Sequence, residues 1–278
     1  MPKRKAFLTV DFEDYRRQQL HDHLGNYPPP NPEEIERQLL MLLELFDTCG
    51  ASATFFSVGR LAAELRSSVW SLITAKHRVG CHGHEHMRIW QLGPQRFRLD
   101  ITRAKRALED VTGRPVVSFR APHFSSDGCD PWFGEMLSAC GFKVDSSRRI
   151  RLMPDGQRGT VAVTGAGGTL VEVPLPSIGF GPKRLTVIGG TYFRLLPLFI
   201  IRRLLARAET LGFIPMVYLH PYDIDPAAAP LAYPMGVGYA LHRAGDKMRR
   251  MGRSSAGEKL LKLAEDYDFC PVESVLSN

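Results

Sequence analysis

Three histidines fall within five residues in the segment CHGHEH (81–86), a density that favours a ligand set over scattered surface or core histidines. His82 and His86 are four apart, the spacing that brings two imidazoles onto one side of a helical turn, where they can share a divalent metal. His84 is left as a solvent-facing or supporting histidine. Upstream, DFED (11–14) offers Asp11, Glu13 and Asp14 directly after an apolar run, and that much buried negative charge calls for a cation. Two histidines and one carboxylate leave positions open for water, as a catalytic site requires. Arg120, in FRAPHF (119–124), is a permanently charged group able to hold Asp11 ionised and oriented, with Pro122 stiffening the loop. His220, in YLHPYD (218–223), is suited to passing a proton to a leaving amine.

These groups are far apart in sequence, so the elements beneath them must bring them together. Each follows a short apolar run: AFLTV before Asp11, RVGC before His82, PVVSF before Arg120 and PMVYL before His220. Such runs read as buried strands. Between them, apolar residues recur at helical spacing. The helix before Gly50 has the clearest punctuation: Asn31 as cap, Pro32 in its first turn, Glu33 and Glu34 at its positive end, and Ile35, Leu39, Leu42 and Phe46 on one stripe. Further helices are expected over 60–76, 95–111, 131–140 and 195–210, and strands over 53–58, 78–81, 115–119, 142–145, 170–175 and 215–219. Strands separated by single helices imply right-handed crossovers and a parallel sheet, in which the strand ends face one rim. No glycine-rich phosphate loop follows the first strand, which argues against a dinucleotide site and for a barrel.

At 278 residues and 44% hydrophobic content, one catalytic domain over residues 1–278 is expected. The net charge of +7 fits an anionic partner, substrate or membrane surface. Its lysines and arginines are scattered, with short clusters at Arg148–Arg151 and Lys247–Arg253 that lack interleaved aromatics, so no nucleic-acid partner is expected. Five cysteines without CxxC spacing indicate neither a disulfide framework nor a thiolate zinc site. The apolar stretch before Asp11 is too short for a signal-peptide core, and no apolar run has membrane-spanning length. A cytoplasmic protein follows from that reading. The segment LLPLFIIRRLLA (195–206) has two readings: peripheral contact with the inner membrane, or an ordinary barrel helix.

Taken together, the motifs TVDFED (9–14), HGHEH (82–86), RAPH (120–123), VDSS (144–147) and YLHP (218–221) resemble those of the polysaccharide deacetylase family, also called the NodB homology or carbohydrate esterase 4 family. FRAPHFS, GGTYFRLLP (189–197) and YLHPYDID resemble its branch found with bacterial exopolysaccharide gene clusters. The resemblance implies an α/β fold, a distorted (β/α) barrel with fewer than eight units. It also implies a divalent metal, zinc foremost with cobalt, nickel or iron as other fits, and removal of N-acetyl groups from an amino sugar of a surface polysaccharide or its precursor. Asp11 becomes the general base, His82 and His86 metal ligands, Arg120 the residue orienting the base, and His220 the general acid. Phe12 stands where many members have the metal-binding aspartate, which moves that role to Glu13 or Asp14. Glu13 is preferred, because alternation along an extended chain aims it with Asp11. Gly83 replaces a common Ser or Thr, and His123, a substrate-binding candidate, replaces the usual tyrosine. The alternatives are hydrolysis of a cyclic imide or ureide, and a metal-free polysaccharide-binding module. The motifs leave the oligomeric state open.

Overall fold

The computed structural model describes residues 2–24, 28–126, 129, 132–152, 161–165, 168–178, 185–186, 188–228, 230–231 and 239–277. In chain order the elements are β1 (Arg4–Phe12), α1 (Tyr15–Leu24), α2 (Pro32–Cys49), β2 (Thr54–Ser57), α3 (Leu61–Glu64), α4 (Ser67–Lys76), β3 (Arg78–Cys81), α5 (Ile89–Thr112), β4 (Ser118–Phe119), α6 (Trp132–Ala139) and β5 (Val144–Asp145). There follow β6 (Arg149–Arg151), β7 (Val161–Gly165), β8 (Gly168–Glu172), β9 (Leu175–Ile178), β10 (Leu185–Thr186), α7 (Gly190–Leu195), α8 (Leu198–Thr210), β11 (Met216–Leu219), α9 (Tyr239–Arg250), α10 (Arg253–Ala264) and β12 (Tyr267–Cys270).

The main sheet runs β11-β1-β2-β3-β4-β5-β8-β7, with β12 also on β1. Pairing is parallel from β11 through β8, and β7 returns antiparallel on β8. It is a distorted α/β barrel of fewer than eight units. Curvature is visible in what the strands enclose. Phe7, Phe56, Val144, Val173, Leu175, Met216 and Tyr218 form one buried cluster inside the sheet. A larger cluster outside it packs the helices onto Ala6, Leu8, Val10 and Phe12. The period of two along β1 thus sends even residues to the helices and odd ones inward, where Thr9 and Asp11 follow Phe7.

Several elements differ from the sequence reading. The helix expected over 60–76 is two pieces, because α3 ends at Leu65, whose extended φ of −105° and ψ of 151° break it. The strand expected over 170–175 is the end of β8 and the start of β9, which belongs to a separate three-stranded sheet. The strand β12 and the helices α1, α9 and α10 go beyond the expected set. A 3-10 turn after β12 closes the lower end of the barrel. There Glu273 accepts hydrogen bonds from Thr54 Oγ1 and Ser118 Oγ, both at 2.5 Å, so one carboxylate ties β2 to the start of β4. In α8, Ile201, Leu205 and Ala208 are buried against the barrel, while Phe199 and Arg203 are exposed. Among the described residues no helix is long and apolar enough to cross a membrane.

Candidate active site

Asp11 is buried on the inner face of β1, and Arg120 Nη1 donates to its Oδ1 at 2.6 Å. The guanidinium is fully buried and otherwise satisfied by Thr9 Oγ1, the Ser146 carbonyl and Ser146 Oγ, and it lies 4.2 Å from the Phe56 ring centroid. Burial alone would raise the Asp11 carboxyl, but the adjacent Arg120 and the nearby His82 and His220 hold it below its ordinary value. The result is a carboxylate kept ionised and pointed in one direction.

One step along the chain, Phe12 turns to the other face and meets Phe55 and Trp70 edge-on, at centroid distances of 5.9 and 6.0 Å. Glu13 returns to the inner side. Its Oε2 lies 2.6 Å from His86 Nε2, and ligand atoms of Glu13, His82 and His86 all fall within 4.8 Å of one another. Asp14 goes elsewhere. Its Oδ1 accepts from the backbone N–H of Arg17 at 2.9 Å, so it caps α1. Of the two carboxylates left open by the sequence, Glu13 is the one gathered with the histidines.

The two imidazoles meet, though not on a helical turn. Residues 82–88 are a loop after β3, and His86 takes a left-handed φ of 55°. The loop is fastened by Asp100, whose two oxygens accept from the backbone N–H groups of His84 and Glu85 at 2.8 and 3.1 Å. Gly83 has a φ of +73°, and a Cβ there would crowd Asp100 Oδ2 at 3.1 Å, which accounts for the glycine. His82 Nδ1 sits 2.8 Å from the Arg120 carbonyl. A carbonyl only accepts, so Nδ1 carries the proton and Nε2 is left with a lone pair for a metal. Burial also pushes His82 down to about 4, keeping it neutral. His86 Nδ1 is buried without a hydrogen-bond partner, and the 2.6 Å approach of His86 Nε2 to Glu13 Oε2 lacks hydrogen-bond alignment. A cation held by Glu13, His82 and His86 therefore fits the donor set: one buried carboxylate and two buried imidazoles whose ligand atoms converge.

His220 follows β11 and approaches this cluster, with Nε2 3.8 Å from Glu13 Oε1. Asp223 Oδ2 takes both the backbone N–H of His220 at 2.7 Å and its Nδ1 at 3.2 Å. Asp223 Oδ1 in turn accepts from Arg194 Nε at 2.8 Å. Burial opposes charge on His220, yet the Asp223 carboxylate outweighs it and raises the imidazole to about 9. Gly189, next to the turn that carries Arg194, has room only for hydrogen: a Cβ would lie 1.9 Å from the Tyr218 ring. His123 packs on His86 with ring centroids 4.7 Å apart and has a φ of 56°. It backs a metal-ligand candidate. His84 is turned away, its Nε2 3.7 Å from Glu85 Oε1.

The structure thus brings Asp11, Glu13, His82, His86, Arg120, His123 and His220 to one rim. Sequence reasoning did not find Asp100, Arg194 or Asp223. Asp223 had a signal, an acid three residues after His220 and behind a proline, the spacing of a capping box. Asp100 had none, lying within an ordinary helical pattern.

Residues 32–128 match the family model described as polysaccharide deacetylase. Over that segment, about a third of its length, the chain is similar to the polysaccharide deacetylase family. Residues 141–277 match a domain of unknown function (DUF3473), so Asp11 and Glu13 precede both matched segments. A peptidoglycan deacetylase of Helicobacter pylori (strain ATCC 700392 / 26695) is 26% identical over 132 residues, 45% of this chain and 44% of that protein. The match thus spans less than half the length of that relative. A solved structure from Mycobacterium smegmatis, assigned to the polysaccharide deacetylases, is 18% identical, covers 100% of this chain and 91% of its own, and has a TM-score of 0.61. The two share a fold. A family 4 carbohydrate esterase from Streptomyces lividans, in complex with acetate, is 13% identical with 95% and 91% coverage and a TM-score of 0.49.

Proposed function

We propose that the protein is a polysaccharide deacetylase, a metal-dependent N-deacetylase acting on an N-acetylated amino sugar of a surface polysaccharide, such as an exopolysaccharide, or of its precursor. The whole chain is read as one catalytic domain, since Asp11 and His220 come from opposite ends of it. One observation carries the reading. A carboxylate ion-paired with Arg120 and an imidazole hydrogen-bonded to Asp223 both border the Glu13, His82 and His86 cluster.

The reaction is hydrolysis: water adds to the acetamide carbonyl, the C–N bond breaks, and acetate and a free amine leave. A divalent ion on Glu13, His82 and His86, with zinc the best fit to those donors, would supply Lewis-acid polarisation and a more acidic water. Asp11 receives the water proton. Its anionic form is available because Arg120 is permanently charged. His220, protonated through its Asp223 contact, gives a proton to the departing nitrogen, which otherwise would leave as an unstable amide anion. His123, beside His86, is assigned to the substrate side of the loop. The location proposed is the cytoplasm, with peripheral contact at the inner membrane.

The experiment is Asp11→Asn, nearly isosteric but unable to take the proton. Metal content should stay close to wild type while acetate release falls by about 10² to 10⁴ in kcat. Loss of the metal would make Asp11 a ligand, and retention of both metal and full activity would reject the mechanism. Ring opening of a cyclic imide without acetate release would reassign the substrate.

A further inference from the structure

The rim that carries the reaction centre also carries an exposed apolar cluster that the proposed chemistry does not use. Helix α8 leads down into β11 and α10 leads down into β12, and both strands run parallel to β1. Each helix therefore starts at the end of the barrel where β1 delivers Asp11. The two starts are fastened together. Arg194 Nη1 donates to the Met251 carbonyl at 2.6 Å, and Lys259 Nζ donates to the Arg194 carbonyl at 2.5 Å. Leu195 and Met251 thus extend from joined backbone segments, with Phe199 four residues on in the first turn of α8 and Met248 one turn before Met251. All four are exposed, Phe199 by 60% and Met251 by 53%. Water gains nothing from such a cluster, and side chains of this size at one place mark a contact surface.

Charge indicates what is contacted. The sequence of α9 holds Arg243, Lys247, Arg249 and Arg250 against one acid, Asp246. Asp246 is buried and paired with Arg250 at 3.2 Å. Lys247 is exposed beside Met248, and Arg203 is exposed on the helix that carries Phe199. Phenylalanine, leucine and methionine flanked by cations match a lipid interface, where apolar groups enter below the headgroups and basic groups meet lipid phosphate. We propose that this rim docks on an anionic bilayer, through Leu195, Phe199, Met248 and Met251 with Lys247 and Arg203 at the phosphate level. The reaction centre then opens toward the membrane, and the substrate's acetamide is presented close to a bilayer surface. The docking inference rests on the surface and not on the proposed reaction, so either can fail alone.

The test is co-sedimentation of the full chain with phosphatidylcholine vesicles and with vesicles of phosphatidylcholine and phosphatidylglycerol in equal parts. Binding is expected to the anionic vesicles and to be released by high salt. Lys247→Gln should weaken it about fivefold, the effect of one basic residue near an anionic surface. The pair Phe199→Ser with Met248→Ser should weaken it further without altering the thermal midpoint or metal content, since both side chains are more than half exposed. Equal binding by wild type and variants, equal binding to neutral vesicles, or no binding would overturn the proposal. A concentration-dependent dimer abolished by the Phe199 and Met248 changes, without vesicle binding, would also overturn it and give the face to a second copy.

Discussion

A single carboxylate oxygen of Asp223 holds His220 twice, through its backbone N–H at 2.7 Å and through Nδ1 at 3.2 Å. The imidazole is thereby fixed in orientation and in protonation with Nε2 toward the Glu13 side of the cluster. Arg194, donating to the other oxygen at 2.8 Å, prevents Asp223 from turning away.

Asp223→Asn tests that arrangement by pH. With Asp223 present, His220 is raised from 6.5 to about 9, so its acid form persists well above neutrality. The variant should lose about 10²-fold in kcat, and the alkaline limb of its profile should move to lower pH. Stability carries the same sign. A raised histidine stabilises the fold fully below about 6.5 and loses that contribution as pH rises through about 9. Denaturant midpoints of metal-free wild type should therefore fall across that interval, and those of the variant should fall less.

Glu13 and Asp14 are adjacent acids with different work. Glu13→Gln should abolish stoichiometric metal, as should His82→Ala or His86→Ala, measured by elemental composition of the purified proteins. Asp14→Ala should keep its metal and instead lose about 1 kcal/mol of stability, the cost of removing a helix cap. The reverse pattern would exchange the two roles.

Phe12 occupies the place of an aspartate in many relatives, so Phe12→Asp is the conservative-looking change with the severe outcome. The side chain points away from the metal cluster into Phe55 and Trp70. Losing the ring costs about 3–5 kcal/mol, and an unpaired buried carboxylate adds several more. Domains have only about 5–15 kcal/mol in total. Expression should give unfolded or insoluble protein, checked by circular dichroism of the soluble fraction.

At the opposite end of the barrel, Glu273→Ala should strip two hydroxyls of their acceptor and cost about 2 kcal/mol in denaturant unfolding. Deacetylation per folded molecule should be unchanged, because Thr54 and Ser118 begin their strands far from the rim where those strands end.

Much of the site was legible because strand ends and motif residues coincide. Apolar runs before Asp11, His82, Arg120 and His220 mark the rim, and the period of two along β1 separates Glu13 from Phe12 in the sequence itself. His82 and His86 do lie side by side, their ring centroids 5.0 Å apart, but a loop with left-handed turns at Gly83 and His86, fastened by Asp100, replaces the expected helical turn. Such a loop leaves no periodic signature, since the carboxylate that shapes it comes from a distant helix. Strand β12 escaped notice for a related reason. Its pattern, YDFC, is too short and polar to identify until β1 supplies its partner.

The place of β1 between early and late parts of the chain sets a timetable. Thr9 and Val217, hydrogen-bonded across β1 and β11, are 208 positions apart. At ribosomal speeds that interval is about 10–40 s. Through it β1 can pair with β2 but has neither β11 nor β12 beside it, a burden that falls on the strand bearing Asp11 and Glu13. His220 emerges just behind β11. Asp11 and His220 therefore face each other only after some 220 residues have been made, and a chain interrupted before residue 220 carries Glu13, His82 and His86 without the imidazole proposed to protonate the leaving amine.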